Sequence, residues 1–77
     1  MEEIKKDEFK NYPEINRTYL HYKGGKYKVI SLAKHSETGE DMVVYKSIHF
    51  GSVAVRPLSI WLERINGRNR FTLMMYE

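Results

Sequence analysis

The chain has no cysteine. That excludes disulfides, thiolate metal sites and a cysteine nucleophile together. It also lacks any apolar run near the roughly 18 residues that a membrane span needs. The opening residues Met1-Glu2-Glu3-Ile4-Lys5-Lys6 are charged, with no apolar region behind them, unlike a secretory signal. Small secreted domains usually depend on disulfide staples. The expectation is therefore a cytoplasmic protein that does not engage membranes. Internal repeats and low-complexity segments are also missing, so the two prolines and five glycines read as boundaries and turns.

What is present suits one small folded domain. The length of 77 residues predicts a single domain. A chain of this size buries only ~60% of its unfolded surface, so the core is small. An apolar fraction of 42% and an aromatic fraction of 13% are far from the composition of a disordered chain. The net charge is +3, unevenly spread: residues 1–17 carry four basic against five acidic groups, and residues 18–77 carry nine against five. The basic excess lies in the part expected to fold, where it either solubilises the surface or serves an anionic partner.

Residues 1–12 read as a helix or a frayed extension, rich in Glu and Lys, with Ile4, Phe9 and Tyr12 at a loosely helical spacing. Pro13 stops it, and the domain boundary falls near Arg17, giving an extension over 1–17 and one β-rich domain over 18–77. Thr18-Tyr19-Leu20-His21-Tyr22 is a β-prone run closed by Lys23-Gly24-Gly25. From Lys26 to His35 the lysines at 26, 28 and 34 share one parity. Tyr27, Val29, Ser31 and Ala33 share the other and are expected to face the core. Ile30 and Leu32 break this alternation, which requires either a second covered face or a bend. Ser36 to Gly39 is the hairpin turn, with Gly39 at its left-handed position. The return strand Asp41–Ile48 is apolar in both parities, as in a strand buried on both faces or bent around a barrel. Gly51 marks another turn, and Val53–Arg56 a short strand ended by Pro57. Leu58, Trp61, Leu62 and Ile65 follow at helical spacing and predict a helical turn from Leu58 to about Glu63. Asn66-Gly67 is a turn, and Phe71–Met75 the last strand. No helix is long enough to join parallel strands, so the sheet is antiparallel. The fold class is mainly β: a strongly bent antiparallel sheet, or an SH3-like barrel, of about five strands.

Several spaced motifs carry a resemblance. Tyr19-x-His21-Tyr22-Lys23-Gly24 is followed in order by Tyr27-x-Val29, Ala33-x-His35-Ser36-Glu37-Thr38, Val43-Val44-Tyr45 and Val55-Arg56-Pro57. Across residues 18–71 the chain resembles the small bacterial family called domain of unknown function 1653. The resemblance implies a compact β domain and brings no activity with it. The family pattern places an aromatic just before Val-Arg-Pro, where this chain has Ala54. Either the contact of that ring is lost here or Trp61 takes it over.

Few residues suggest chemistry. His21, His35, His49 and Glu37 are the candidate metal ligands, but a zinc site needs three or four converging groups and no ligand-spaced motif is present. No metal or cofactor is expected. His35 and Ser36 are adjacent in a strand and point to opposite faces, so they do not form a nucleophile and its base. Ser36, Glu37 and Thr38 are explained by turn chemistry. Gly24-Gly25 precedes neither Gly-Lys-Ser/Thr nor a helix, so it is no phosphate loop. Tyr19, Tyr22, Tyr27, Tyr45 and Trp61 interleave with Lys23, Lys26, Lys28, Lys46 and Arg56, as in a small β core with a basic outer face or a surface that stacks bases and tracks phosphates. Arg56, ending a strand before a rigid turn, can bond a carbonyl, carboxylate or phosphate, or form a structural ion pair with Glu37. The leading expectation is a non-catalytic binding module. Its rim would be Tyr22, Lys23, His35, Glu37, Tyr45 and Arg56, holding a peptide, nucleic acid or small polar ligand. The alternative is a nucleic-acid-binding protein acting through a basic and aromatic β surface. A small enzyme or metal protein ranks behind both, and the oligomeric state is expected to be a monomer or weak dimer.

Overall fold

Alternation of side chains along a strand decides which face reaches the core, and one extra residue inverts it. That happens in the long hairpin. The computed structural model describes residues 12–74. Strand β2 (Lys26–Lys34) pairs antiparallel with β3 (Asp41–Ser47). Val29 lies opposite Tyr45, but Ser31, not Ile30, lies opposite Val44, and Leu32 lies opposite Val43. Ile30 is thus the extra residue of a bulge, 39% exposed. Before it, Tyr27 and Val29 face the core; after it, Leu32 does. The expectation for Ser31 and Ala33 is corrected accordingly: the bulge turns them to the opposite face, and Ala33 is exposed.

Strand β3 buries one face. Val43, Tyr45 and Ser47 are buried, while Met42 and Val44 are half-covered and Lys46 is exposed. Apolar residues in both parities therefore did not signal burial on both faces. Strand β1 (Thr18–His21) pairs with β2, and β4 (Val53–Pro57) pairs with β3. Pro57 then opens the single turn α1 (Leu58–Trp61), with Leu62 N–H donating to the Leu58 carbonyl at 2.9 Å. The helix is shorter than the span to Glu63 read from spacing; Leu58 and Trp61 are buried, while Leu62 faces solvent. A small hairpin follows, β5 (Arg64–Ile65) with β6 (Arg68–Asn69). Asn66 and Gly67 both have positive φ, 50° and 82°, as a two-residue primed turn requires. Strand β7 (Phe71–Leu73) returns to pair with β1.

The main sheet has the order β4-β3-β2-β1-β7. Its ends, β4 and β7, do not pair with each other, so of the two architectures expected the sheet is open and the SH3-like barrel is not formed. One face carries the core: Tyr19, Val29, Val43, Tyr45 and Phe71, closed by Leu58 and Trp61 of α1. Residues 12–17 lie against this domain. The Tyr12 hydroxyl donates to Asp41 at 2.6 Å, Pro13 is buried, and Asn16 N–H bonds the Val29 carbonyl at 2.8 Å. The helix or frayed extension expected over residues 1–11 lies outside the described residues. Among the described residues no helix is long and apolar enough to cross a membrane.

Candidate binding site

The pairing of β7 with β1 sets Phe71 opposite His21 and brings a ring from near the end of the chain onto the aromatic face. Phe71 stacks on Trp61 with ring centres 3.7 Å apart and planes 3° off parallel. Tyr45 reaches both, at 5.4 Å from Trp61 and 6.1 Å from Phe71. Ala54 lies opposite Tyr45 and is exposed, so Trp61 is the ring that contacts Tyr45 near this position. The His21 ring stands edge-on to Phe71 at 4.9 Å and beside Tyr22 at 4.7 Å.

Arg56 projects over this surface. Its guanidinium carbon lies 5.5 Å from the Phe71 ring centre and 5.8 Å from that of Tyr45. Such contacts stabilise a cation by about 0.5–2 kcal/mol, more as it is desolvated. Arg56 is half-buried, yet among the described residues it makes no ion pair. The expected ion pair with Glu37 is not formed: the Arg56 side chain turns over Tyr45 and Phe71, and Glu37 lies in the β2–β3 turn. Arg70, just before β7, lies 5.8 Å from the Tyr22 ring and pairs with Glu63. Its Nε is buried without a hydrogen-bond partner. The Lys23 ammonium lies over the same Tyr22 ring, 5.7 Å from its centre.

Three cations thus converge on His21, and its pKa responds. Burial lowers it below the ordinary 6.5, and the charges of Arg56, Arg70 and Lys23 lower it further. Its Nδ1 accepts the Lys23 backbone N–H at 3.2 Å, which leaves the neutral imidazole with its proton on Nε2. His35 uses the same device, its Nδ1 accepting from Glu37 N–H at 3.2 Å and Thr38 N–H at 3.4 Å.

Three of the six residues nominated from sequence therefore share one surface, Tyr22, Lys23 and Arg56 around His21, while Tyr45 and Phe71, 7% and 6% exposed, lie beneath Arg56 as core rings. His35 and Glu37 are not part of it. Strand β2 rises by roughly 3.3 Å per residue, which puts His35 some ~25 Å from Tyr27. The residues that sequence reasoning omitted are His21, Arg70 and Phe71. In the sequence His21 stands in the family motif and as a candidate metal ligand, and nothing in local spacing ties it to Phe71. Among the described residues no three metal-ligating side chains gather. A separate cleft of about 600 Å³ opens beyond the Trp61–Phe71 stack, lined by Tyr12, Glu14, Tyr19, Arg64 and Asn69 among others. It contains none of the six nominated residues, and both its cation and its acid have partners: Arg64 bonds the Gly67 carbonyl and Glu14 faces Arg17. The uncompensated charge lies on the Arg56 side.

Comparison with known proteins agrees with this fold. No curated protein matches the chain. A solved structure is similar to it: the crystal structure of a DUF1653 protein from Bordetella bronchiseptica, at 32% identity and a TM-score of 0.68, covering 77% of this chain and 85% of that one. The family model described as protein of unknown function (DUF1653) matches residues 17–73, from the residue before β1 to the end of β7. The chain belongs to the DUF1653 family.

Proposed function

We propose that this chain is a non-catalytic binding module whose site is the basic and aromatic surface of His21, Tyr22, Lys23, Arg56, Arg70 and Phe71, and that its ligand presents an oxyanion. One observation carries the reading: Arg56 is half-buried on two ring faces with no carboxylate partner among the described residues. A guanidinium has five N–H donors and no acceptor. The neighbouring His21, held neutral by burial and three cations, presents an N–H. Such a surface is complementary to a carboxylate or phosphate, and Arg matches both in a bidentate fork. The non-catalytic part is supported by the histidines: His21 and His35 both spend Nδ1 on turn backbone, and among the described residues no carboxylate orients either ring. Acidic peptides, nucleic acids and small polar acids all offer the required group.

The test is an NMR titration of the ¹⁵N-labelled protein with inorganic phosphate and, separately, acetate. Shifts are expected to concentrate on His21, Tyr22, Arg56, Arg70 and Phe71, and to vanish in Arg56→Gln. Shifts spread evenly over the surface, or surviving that substitution, would remove the reading.

A further inference from the structure

Acidic residues are absent from two long stretches, 15–36 and 42–62, which supply β1 to β4 and α1. Folding sorts what remains. Glu37, Glu40 and Asp41 occupy the β2–β3 turn and its edge, where Asp41 pairs with Lys34. The antiparallel order places the turns 22–25 and 48–52 together at the opposite end of the sheet. A bond from Ile48 N–H to the Lys26 carbonyl, 3.0 Å, ties that end to β2. Lys23, Lys26, Lys28 and Lys46 lie there, and none is paired with a carboxylate among the described residues.

Two features of this end are unfavourable to the protein alone. Lys28 and Lys46 are directly opposite each other across β2 and β3, a like-charge pair that weakens a sheet. Phe50, on the adjoining turn, is 82% exposed, touched on its ring by His49 at 4.6 Å. An anionic chain relieves the first and a stacked ring the second. We infer that this end of the sheet binds single-stranded nucleic acid, with phosphates on Lys23, Lys26, Lys28 and Lys46 and a base on the Phe50 ring. The inference goes beyond the oxyanion reading of Arg56 and concerns the other face of the sheet: Lys26, Lys28 and Lys46 alternate with the core-facing Tyr27, Val29 and Tyr45. Ile48 and Val53 are also exposed at this end, 50% and 62%, but Phe50 is the most exposed, and its planar ring among unpaired lysines suits the face of an unpaired base, which a duplex hides. An acidic peptide leaves the ring unused, and anionic vesicles test a membrane surface against this reading.

The experiment is fluorescence anisotropy with labelled oligothymidylate and oligouridylate of about ten nucleotides, within the span that small β modules occupy. Raising salt from about 50 to about 200 mM is expected to weaken binding about fifty-fold if four phosphates are neutralised. Lys28→Glu with Lys46→Glu should abolish binding at the higher salt, and Phe50→Ala should weaken it about ten-fold. Glu40→Gln, at the opposite end, should leave it unchanged. All these positions are exposed or half-exposed, and far-UV circular dichroism checks that each variant is folded. No binding at low salt, duplex bound as tightly as single strands, or binding only to anionic vesicles or poly-glutamate overturns this inference. If phosphate still shifts Arg56 and His21 in NMR, the oxyanion reading survives that failure. If the oligonucleotides bind as expected and phosphate produces no localised shift, the oxyanion reading falls and this inference stands.

Discussion

The rings of Trp61 and Phe71 lie flat on one another, 3.7 Å between centres, and the face they build carries both the core and the binding surface. Tyr19 meets Trp61 edge-on at 5.4 Å, and Arg56 lies over Phe71. Removing the indole therefore empties the middle of a small core. Trp61→Ala is expected to cost about 3–5 kcal/mol, a large share of the roughly 5–15 kcal/mol that holds a domain folded. Urea unfolding followed by far-UV circular dichroism measures it. A midpoint unchanged from the parent would show that the stack does not support the fold.

Gly25 has a more local task. A methyl group there would stand 2.8 Å from the Tyr27 ring and 2.9 Å from its hydroxyl oxygen. Tyr27 cannot swing freely, because its ring is edge-on to Tyr45 at 5.5 Å and to Phe71 at 5.9 Å. Gly25→Ala is expected to destabilise by about 1–3 kcal/mol through overpacking. It should also move the NMR signals of Tyr27, Tyr45 and Phe71. Gly24→Ala next to it acts differently: its Cβ would meet nothing within 4 Å, but the φ of 109° disfavours any side chain. Ring signals displaced by the first substitution and not by the second separate the two causes.

The bulge at Ile30 makes a sharper prediction about register. Because Ile30 is the extra residue, Ile30→Ser should change stability by no more than about 0.5–1 kcal/mol, as at other surface positions. Deleting Ile30 removes the extra residue and keeps Ser31 opposite Val44 and Leu32 opposite Val43, so the same side chains face inward. Deleting Val44, a paired residue of β3, instead sets Val43 beside Tyr45, and the two can no longer both face the core. Loss of the cooperative thermal transition is expected for the Val44 deletion, while the Ile30 deletion and the serine variant retain it. Equal behaviour of the two deletions would mean that Ile30 is not the extra residue.

These elements show how far local pattern carries. The order of strands and turns is readable because glycines with positive φ stand at the turns: Gly24, Gly39 and Gly51 all adopt it. Leu58 and Trp61, three apart after Pro57, announce the helical turn. The alternation break at Ile30 and Leu32 is visible, but sequence does not say which residue is extra; the partner strand decides that. The hairpin around Asn66-Gly67 is readable as a turn, while its two-residue strands are too short to show alternation. For the candidate site, Arg56, Tyr45, Tyr22 and Lys23 are nominated by residue type and motif. Phe71 and Arg70 reach them only because β7 closes on β1, a contact spanning most of the chain. His35 and Glu37 belong to the same motifs, yet the length of β2 carries them away from it.

The same closure makes His21 a titration probe of the site. Burial, then Arg56, Arg70 and Lys23, hold its pKa below the ordinary 6.5. The unfolded chain therefore binds a proton more readily than the folded one, so this group's contribution to stability is full above about pH 6.5 and is lost as pH falls from there toward the folded value. Protonation also places a hydrogen on Nδ1, which opposes the bond that Nδ1 accepts from Lys23 N–H. Urea midpoints are expected to drop between about pH 7 and pH 5. His21→Asn keeps a side-chain acceptor suited to this turn and removes the titration, so its midpoint should be lower overall but flatter across that interval. Bound phosphate acts in the opposite direction: an anion against Arg56 and Arg70 offsets the charge on His21, raises its pKa and shrinks the pH dependence. Parent and His21→Asn slopes that coincide would show that the three cations do not act on His21. A His21 titration, followed by NMR, that phosphate leaves unmoved would place any bound anion elsewhere.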